Sequence, residues 1–599
     1  MKRLPFNTLK PYNLRVFSRS PWFQALLLLI WIVIGTGLRF TQLTAKPPWM
    51  DEVATVIFSL GNSSQSIPLD QAIGLDTLLT PLQPNPVTGV SSVVQHLFAE
   101  DNHPPLYFML AHQWMQFFPA EAGVASVWGA RSLPALLGAA SIPATFGLGW
   151  LAFRSLLVGQ LSAALMAVSP YGIYLSQEAR HYTLAILVVI ASLCCLAIAK
   201  QAIHNRKPLP IWLGVLWVTL NSLGIAIHYF FALALCAEAL SLIGLRVWSW
   251  RRKQAWIQEW RFYLVGAGTL LGGLLWLPVW ASFYGSEQTS WLSMGEHRSL
   301  LVWINPIFQS LAGWITMLML LPVESENLLV VVASVLVMLV LLIWMTPILS
   351  QGLKIQFQKP STRLGTQTLG SFVLAAIGLF FAVTYSSGLD ITRGSRYNFV
   401  YFPGVIVLAG AGLAACWQAP DLAQRRVLLG RLRLNGKQAV ALVWLIGFLS
   451  AITVVTNLGF AKFYRPEWLI PIIQRESTAP VLIASTVHKT NHPSVIAPDF
   501  IGVAWEIKRH FSAGSQNWVS PPQFLLAQYK QEPAIAATTL AKVISDLPRP
   551  LDLWLVNFDA EAVNAQGCLA KTLAGKVSSY HYRHYQCPGP TKPDAGAER

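Results

Sequence analysis

Runs of about twenty apolar residues recur along this chain, and every second gap between them is crowded with lysine and arginine. A bilayer core accepts only backbone that satisfies its own hydrogen bonds, so such runs are read as crossing helices. The chain has 599 residues, of which only 12% are charged, about half the share of a soluble domain. The expected fold class is therefore a polytopic α-helical membrane protein. Eleven spans are expected, at about residues 22–40, 126–153, 160–174, 182–199, 209–227, 230–247, 262–283, 328–349, 369–385, 397–417 and 439–460. The first span has no small-residue cleavage site after it, so it reads as an anchor and not a removable leader.

The charges orient the helices. Lys2, Arg3, Lys10, Arg15 and Arg19 precede the first span, which predicts a cytoplasmic N-terminus. With eleven spans, twenty-two Lys and Arg fall in cytoplasmic segments, among them Arg252, Lys253, Arg425, Arg426, Arg431 and Arg433. Five fall outside: Lys46, Arg180, Arg298, Arg393 and Arg396. The separation requires that residues 105–118 and 303–323 do not cross. The first of these is short, with His112, Gln113 and Gln116 as a polar stripe, and is expected to lie in the interface. The net charge of +16 is thus spent on topology, which argues against nucleic-acid binding.

The predicted organisation is a cytoplasmic segment 1–20, a membrane domain 21–460 with a first outer loop 41–125, and an extracytoplasmic domain 461–599 with a disordered end. That tail carries strand-like runs at 481–485, 551–558 and 577–585 and helical stretches at 524–529 and 534–547, a small α/β domain. Cys194, Cys195, Cys236 and Cys416 lie in apolar runs and read as core residues. Cys568 and Cys587 lie in the polar tail and are either a disulfide or two free thiols.

This topology sends the unusual polar residues to one face. Asp51 and Glu52 follow the first span. Asn102-His103-Pro104-Pro105-Leu106-Tyr107-Phe108 opens the interfacial helix. Ser176-Gln177-Glu178-Ala179-Arg180-His181-Tyr182 joins the third and fourth spans, and His228-Tyr229 the fifth and sixth. Arg393, Arg396 and Tyr397 begin the tenth. Each segment alone has an ordinary structural reading, as a helix start, a local ion pair or an interfacial anchor. Together they bring carboxylates, a histidine and arginines to one wet cavity, which suits an acidic base beside a phosphate held by arginine.

These motifs, in this order, resemble the GT-C fold glycosyltransferases, nearest to protein O-mannosyltransferases and the aminoarabinose transferases of lipid A. The likeness covers residues 20–230 well and 370–410 in outline. It implies a polyprenyl-phosphate-linked sugar donor, a lipid, glycan or protein acceptor, and transfer on the extracytoplasmic side of the plasma membrane. It implies catalysis by Asp51 with Glu52 in support. It places His103, Tyr107, Glu178, Arg180, Tyr182, His228, Arg393, Arg396 and Tyr397 around the substrates, with Arg396 on the donor phosphate. His103 stands where the aminoarabinose enzymes carry lysine, which points to an ordinary hexose. Asp51-Glu52 is not an Asp-x-Asp metal motif, so neither metal nor other cofactor is expected. Two rival readings remain: a ligase or polymerase of polyprenyl-linked glycans, and a transporter of lipid-linked or sugar substrates. A transporter would concentrate charge at mid-membrane; Glu238 and Arg39 are the charges noted within spans.

Overall fold

The computed structural model describes residues 20–251, 256–283, 287–294, 299–419, 434–488, 495–512, 518–529, 533–558 and 567–589. The basic N-terminal segment, Arg252, Lys253, Arg298, Arg425, Arg426, Arg431, Arg433 and the expected disordered end lie outside the described residues. The chain is a mostly helical, polytopic membrane-type protein with a small sheet-containing region toward its end.

Among the described residues, seven helices are long and apolar enough to cross a membrane: Pro21–Phe40, Val127–Phe153, Tyr182–His204, Phe231–Arg251, Leu328–Gln358, Pro360–Ser387 and Gly436–Val455. Leu156–Val168 and Pro170–Ser176 together make an eighth, bent by 57°. Pro170 has no N–H to continue the first helix, and the Ser169 hydroxyl accepts from the Gly172 amide to start the second. The other expected spans are shorter or broken: Ile211–Ile227 and Phe402–Gln418 have 17 residues each, and 262–283 divides into Trp260–Leu274 and Leu277–Phe283. All eleven expected segments are thus apolar helix, but not all are full crossings by length. Between the last two groups lies Leu300–Thr316, the second segment expected not to cross.

The interfacial segment forms a helix over Leu106–Met115. Its polar stripe is not simply turned to water. His112 is buried, with Nδ1 2.8 Å from the Ser59 carbonyl, so it fastens this helix to the end of the helix Met50–Ser59 that carries Asp51.

Among the described residues, five strands of the tail and one from the first loop form a single sheet: β1 (Ala72–Gly74), β2 (Val481–His488), β3 (Gln523–Tyr529), β4 (Leu551–Val556), β5 (Leu569–Val577) and β6 (Tyr580–Cys587), ordered β1-β3-β2-β4-β6-β5. β2 is parallel to β3 and β4; the outer pairs are antiparallel. The stretch 524–529, expected to be helical, is strand β3. Its Phe524, Leu525, Leu526 and Ala527 are all fully buried between two neighbouring strands, and so short an apolar run has no periodicity that tells helix from strand. Helix Pro533–Asp546 fulfils the other helical expectation. Cys568 and Cys587 form a disulfide across the β5–β6 pair.

β1 does not belong to the tail in sequence. It comes from the first loop and pairs with β3, Ile73 opposite Phe524. Asp70 accepts from the Gln528 amide, and Lys508 pairs with Asp76. The apolar core follows the same path. Val53, Val56 and Ile57 of the Asp51 helix share one buried cluster with Leu469, Phe500, Ile501, Trp505 and Trp554 of the tail. The helix Pro498–Ser512 packs on the Asp51 helix, with Gly502 facing the Pro48 carbonyl and Val53. Loop 41–125 and the tail therefore fold as one body, so the boundary expected at 460/461 does not divide the core.

Candidate active site

The site is built on the helix Met50–Ser59. Pro47 and Pro48 hold the lead-in extended, because a residue before proline avoids the helical region. Glu52, in the first turn, accepts from the Trp49 amide at 3.4 Å. Two carboxylates at this end also suit the positive pole of the helix. Their side chains then part company.

Glu52 is buried and bound on every side. Its oxygens take the Nε and Nη2 of Arg131 at 2.8 and 2.7 Å, and one accepts the Ala179 amide at 2.7 Å. Arg131 also donates to the carbonyls of Leu43, Lys46 and Pro47, which uses all five of its N–H groups. Burial alone pushes the Glu52 carboxyl up, but Arg131 and the Ala179 amide hold it below its ordinary range. Glu52 is thus a brace that ties the first loop to the helix Val127–Phe153 and to the 177–181 turn. We assign it that structural role in place of the supporting catalytic role expected from the sequence. Arg131 itself lies inside an apolar span and was overlooked for that reason.

Asp51 is the more exposed of the two, its side chain only partly covered. Its Oδ2 lies 3.4 Å from Arg396 Nη2 and 3.8 Å from Arg180 Nη2. Burial raises the carboxyl, but Arg396 first and Arg180 next more than offset it, leaving it ionised and below the usual range. Arg180 is fixed independently: Nη1 donates to the Asp51 carbonyl and to Thr55 Oγ1, and Nη2 to His103 Nε2 at 3.1 Å. Asp101 accepts from His103 Nδ1 at 2.9 Å, which leaves Nε2 free to receive the arginine. Arg396 is carried by the short turn Ser395–Val400 and packed among the rings of Trp49, Trp291 and Tyr397, 5.2–5.4 Å from their centres. Tyr182 lies beside Arg180.

Glu178 is buried next door and pairs with Lys462, whose ammonium rests 3.9 Å from the Trp49 ring centre and 4.6 Å from that of Tyr174. Burial raises the Glu178 carboxyl, only partly countered by Lys462. Lys462 follows the last span and was not foreseen; nothing local in Gly459-Phe460-Ala461-Lys462 marks it. Replacing it by methionine would leave Glu178 without its cation. A carboxyl raised by burial contributes stability below the ordinary carboxylate range and loses it as pH climbs through the folded value. Lys462→Met is therefore expected to be less stable than wild type by about 1–3 kcal/mol at pH 8 and much nearer to it at pH 5. Thermal unfolding at the two pH values measures this; an equal loss at both would contradict the pairing.

Behind Arg180 stand three imidazoles in a row. His181 is fully buried, its ring centre 5.3 Å from His103 and 4.6 Å from His228. Burial, and then the adjacent imidazoles and arginines, hold His181 and His228 well below the ordinary imidazole range. Among the described residues, no three His, Cys, Asp or Glu side chains are grouped to hold a metal ion. Tyr107 packs against Phe108 and His181 in the wall of the site, and Tyr397 against Phe230 and His228. Arg393 departs from expectation. It turns to Asp390 and to the Trp291 carbonyl, away from Asp51.

Several buried polar atoms here have no protein partner: the Nε of Arg180 and of Arg396, Oε2 of Glu178, both ring nitrogens of His181, His228 Nε2 and Trp49 Nε1. Orphans are rare in folded proteins and costly one by one, so their gathering at one place sets this cluster apart from an ordinary packed core.

No family model matches the chain, and no curated protein matches it. Among solved structures it is similar to ArnT from Cupriavidus metallidurans bound to undecaprenyl phosphate, at 11% identity and a TM-score of 0.44, over 94% of this chain and 97% of that one. It is also similar to the oligosaccharyltransferase AglB from Archaeoglobus fulgidus in complex with an inhibitory peptide and a dolichol-phosphate, at 12% identity and a TM-score of 0.43, over 89% of this chain and 69% of that one. At these scores the likeness says nothing about the site, whose reading rests on the side chains above.

Proposed function

We propose that this protein is a glycosyltransferase of the GT-C type, moving a hexosyl or pentosyl group from a polyprenyl-phosphate donor to an acceptor on the extracytoplasmic side of the plasma membrane. The observation that carries the reading is Asp51 between Arg180 and Arg396, on the helix that follows the apolar span Pro21–Phe40. Two fixed guanidinium groups suit a phosphate, and the apolar helices beside them suit its lipid.

In this reading the reaction is a single displacement with inversion. An acceptor O–H gives its proton to Asp51 as its oxygen bonds the anomeric carbon. The bond from that carbon to the phosphate oxygen breaks, and the electron pair leaves on the phosphate. Arg180 and Arg396 neutralise the charge as it develops, the kind of pre-set electrostatic help that contributes most in a site closed to water. The unpartnered nitrogens of His181 and His228 lie buried behind Arg180, next to the proposed phosphate position. The partners of the charges within spans weigh against a transporter: Arg39 is sealed by Gly35, Met166, Ala167 and Ser176, Arg131 by Glu52 and three carbonyls, Lys200 donates to Ser241 and Ser371, and one oxygen of Glu238 is held by Ser192 and Trp217.

Lipid mass spectrometry of cells with and without the protein tests this. A polyprenyl-phosphate sugar should accumulate when the protein is missing. Identical lipid profiles would count against the function.

A further inference from the structure

The two acid–base pairs at the head of the Asp51 helix differ in a way that bears on how the site is loaded. Glu52 and Arg131 meet at 2.7 and 2.8 Å, the spacing of a strong charge-assisted bond, and their side chains are 2% and 3% exposed. Asp51 approaches its arginines only to 3.4 and 3.8 Å, and its side chain is 22% exposed. The arginines do not depend on it for their positions. Arg180 is held by the Asp51 main-chain carbonyl, Thr55 and His103, and Arg396 by three aromatic rings. Each also keeps a buried Nε–H with no partner. The cations are thus set for an oxyanion, and the carboxylate touching them is the one loosely attached member of the group.

We infer that the Asp51 carboxylate is a built-in stand-in for the donor's phosphate on the Arg180–Arg396 pair, displaced when the lipid phosphate binds, and free to meet an acceptor only then. The inference rests on the functional reading above. Its consequence is an order of events. An empty site holds Asp51 against two cations, where it is a poor proton acceptor. A bound phosphate takes those cations over and sets a second negative charge near the carboxylate, and both changes make Asp51 more basic. The base is therefore switched on by the donor, which limits wasteful chemistry on an acceptor that arrives first.

A carboxylate that competes with the ligand lowers the ligand's apparent affinity. Removing its charge should therefore tighten binding, even though the residue is catalytic. The test measures binding of undecaprenyl phosphate to the full-length protein in detergent, by native mass spectrometry, for wild type, Asp51→Asn and Asp51→Ala. Thermal unfolding serves as the control for folding. Both variants are expected to bind about five- to tenfold more tightly than wild type. If wild type binds and both folded variants bind equally or more weakly, the stand-in role is overturned while the phosphate site survives. If no form binds undecaprenyl phosphate, the functional reading fails and the inference falls with it.

Discussion

Asp51→Asn should reduce sugar transfer by about 10²- to 10⁴-fold, the range that a positioned general base contributes, with thermal stability close to wild type. Asparagine has the same shape and still accepts a hydrogen bond, but it cannot take a proton. The Asp51 side chain makes no close structural bond: its nearest cationic partner, Arg396, stands 3.4 Å away. The helix below it is held instead by Glu52, by His112 at its far end and by the core shared with the tail. A folded variant that binds the phosphate lipid more tightly yet does not turn over would be hard to explain by misfolding. Transfer by Asp51→Asn at the wild-type rate would remove Asp51 from the chemistry.

The opposite behaviour is expected next door. Glu52→Leu or Arg131→Met leaves one buried charge without its partner, a change that costs about 3–5 kcal/mol. Either variant should show a sharply lowered unfolding temperature or fail to accumulate in membranes. The double variant Glu52→Leu/Arg131→Met should recover much of the loss, because replacing a buried pair with apolar groups of similar size is often nearly neutral. Recovery will be incomplete, since Arg131 also satisfies the carbonyls of Leu43, Lys46 and Pro47. Thermal unfolding of the four proteins gives the coupling directly. Independent, additive losses would show that the pair is not the brace described above.

Adjacent in sequence, the two acids thus have different work, and the sequence could not separate them. Their spacing along a helix turns them about 100° apart, but which of the two stays partly exposed depends on Arg131 and Ala179, far away in the chain. The membrane-type architecture was legible because apolar length and loop charge are properties of single segments. The gathering of Asp51, His103, Arg180 and Arg396 was legible for a related reason: once topology assigned the loops to one side, few places remained for their polar residues. Lys462 and Arg131 escaped, the first because a lone lysine after a span looks like an ordinary anchor, the second because it hides in an apolar run. Arg393 was included because it neighbours Arg396, yet the turn between them points it to Asp390. In the tail, β2, β4 and β6 were legible as strand-like runs, whereas β3 read as helix and β5 was not expected. The addition of Ala72–Gly74 to that sheet was not legible, because three residues in a long loop carry no pattern of their own.

That joint sheet gives the tail a place in the account. Its helix Pro498–Ser512 backs the Asp51 helix, and Arg509 donates to the Thr44 carbonyl in the lead-in to Pro47. The tail therefore packs against the loop and helix that carry the site.

The central claim, that Asp51, Arg180 and Arg396 form the reacting end of a lipid-phosphate sugar site, is tested most directly by turnover in a purified system. The protein would be incubated with a polyprenyl-phosphate sugar and a membrane extract as the source of acceptor. Release of free polyprenyl phosphate and the anomeric configuration of the product would be followed. The account predicts that wild type liberates polyprenyl phosphate with inversion at the anomeric carbon, and that Asp51→Asn does neither while still binding the lipid. Retention of configuration, or equal release by both proteins, would contradict it.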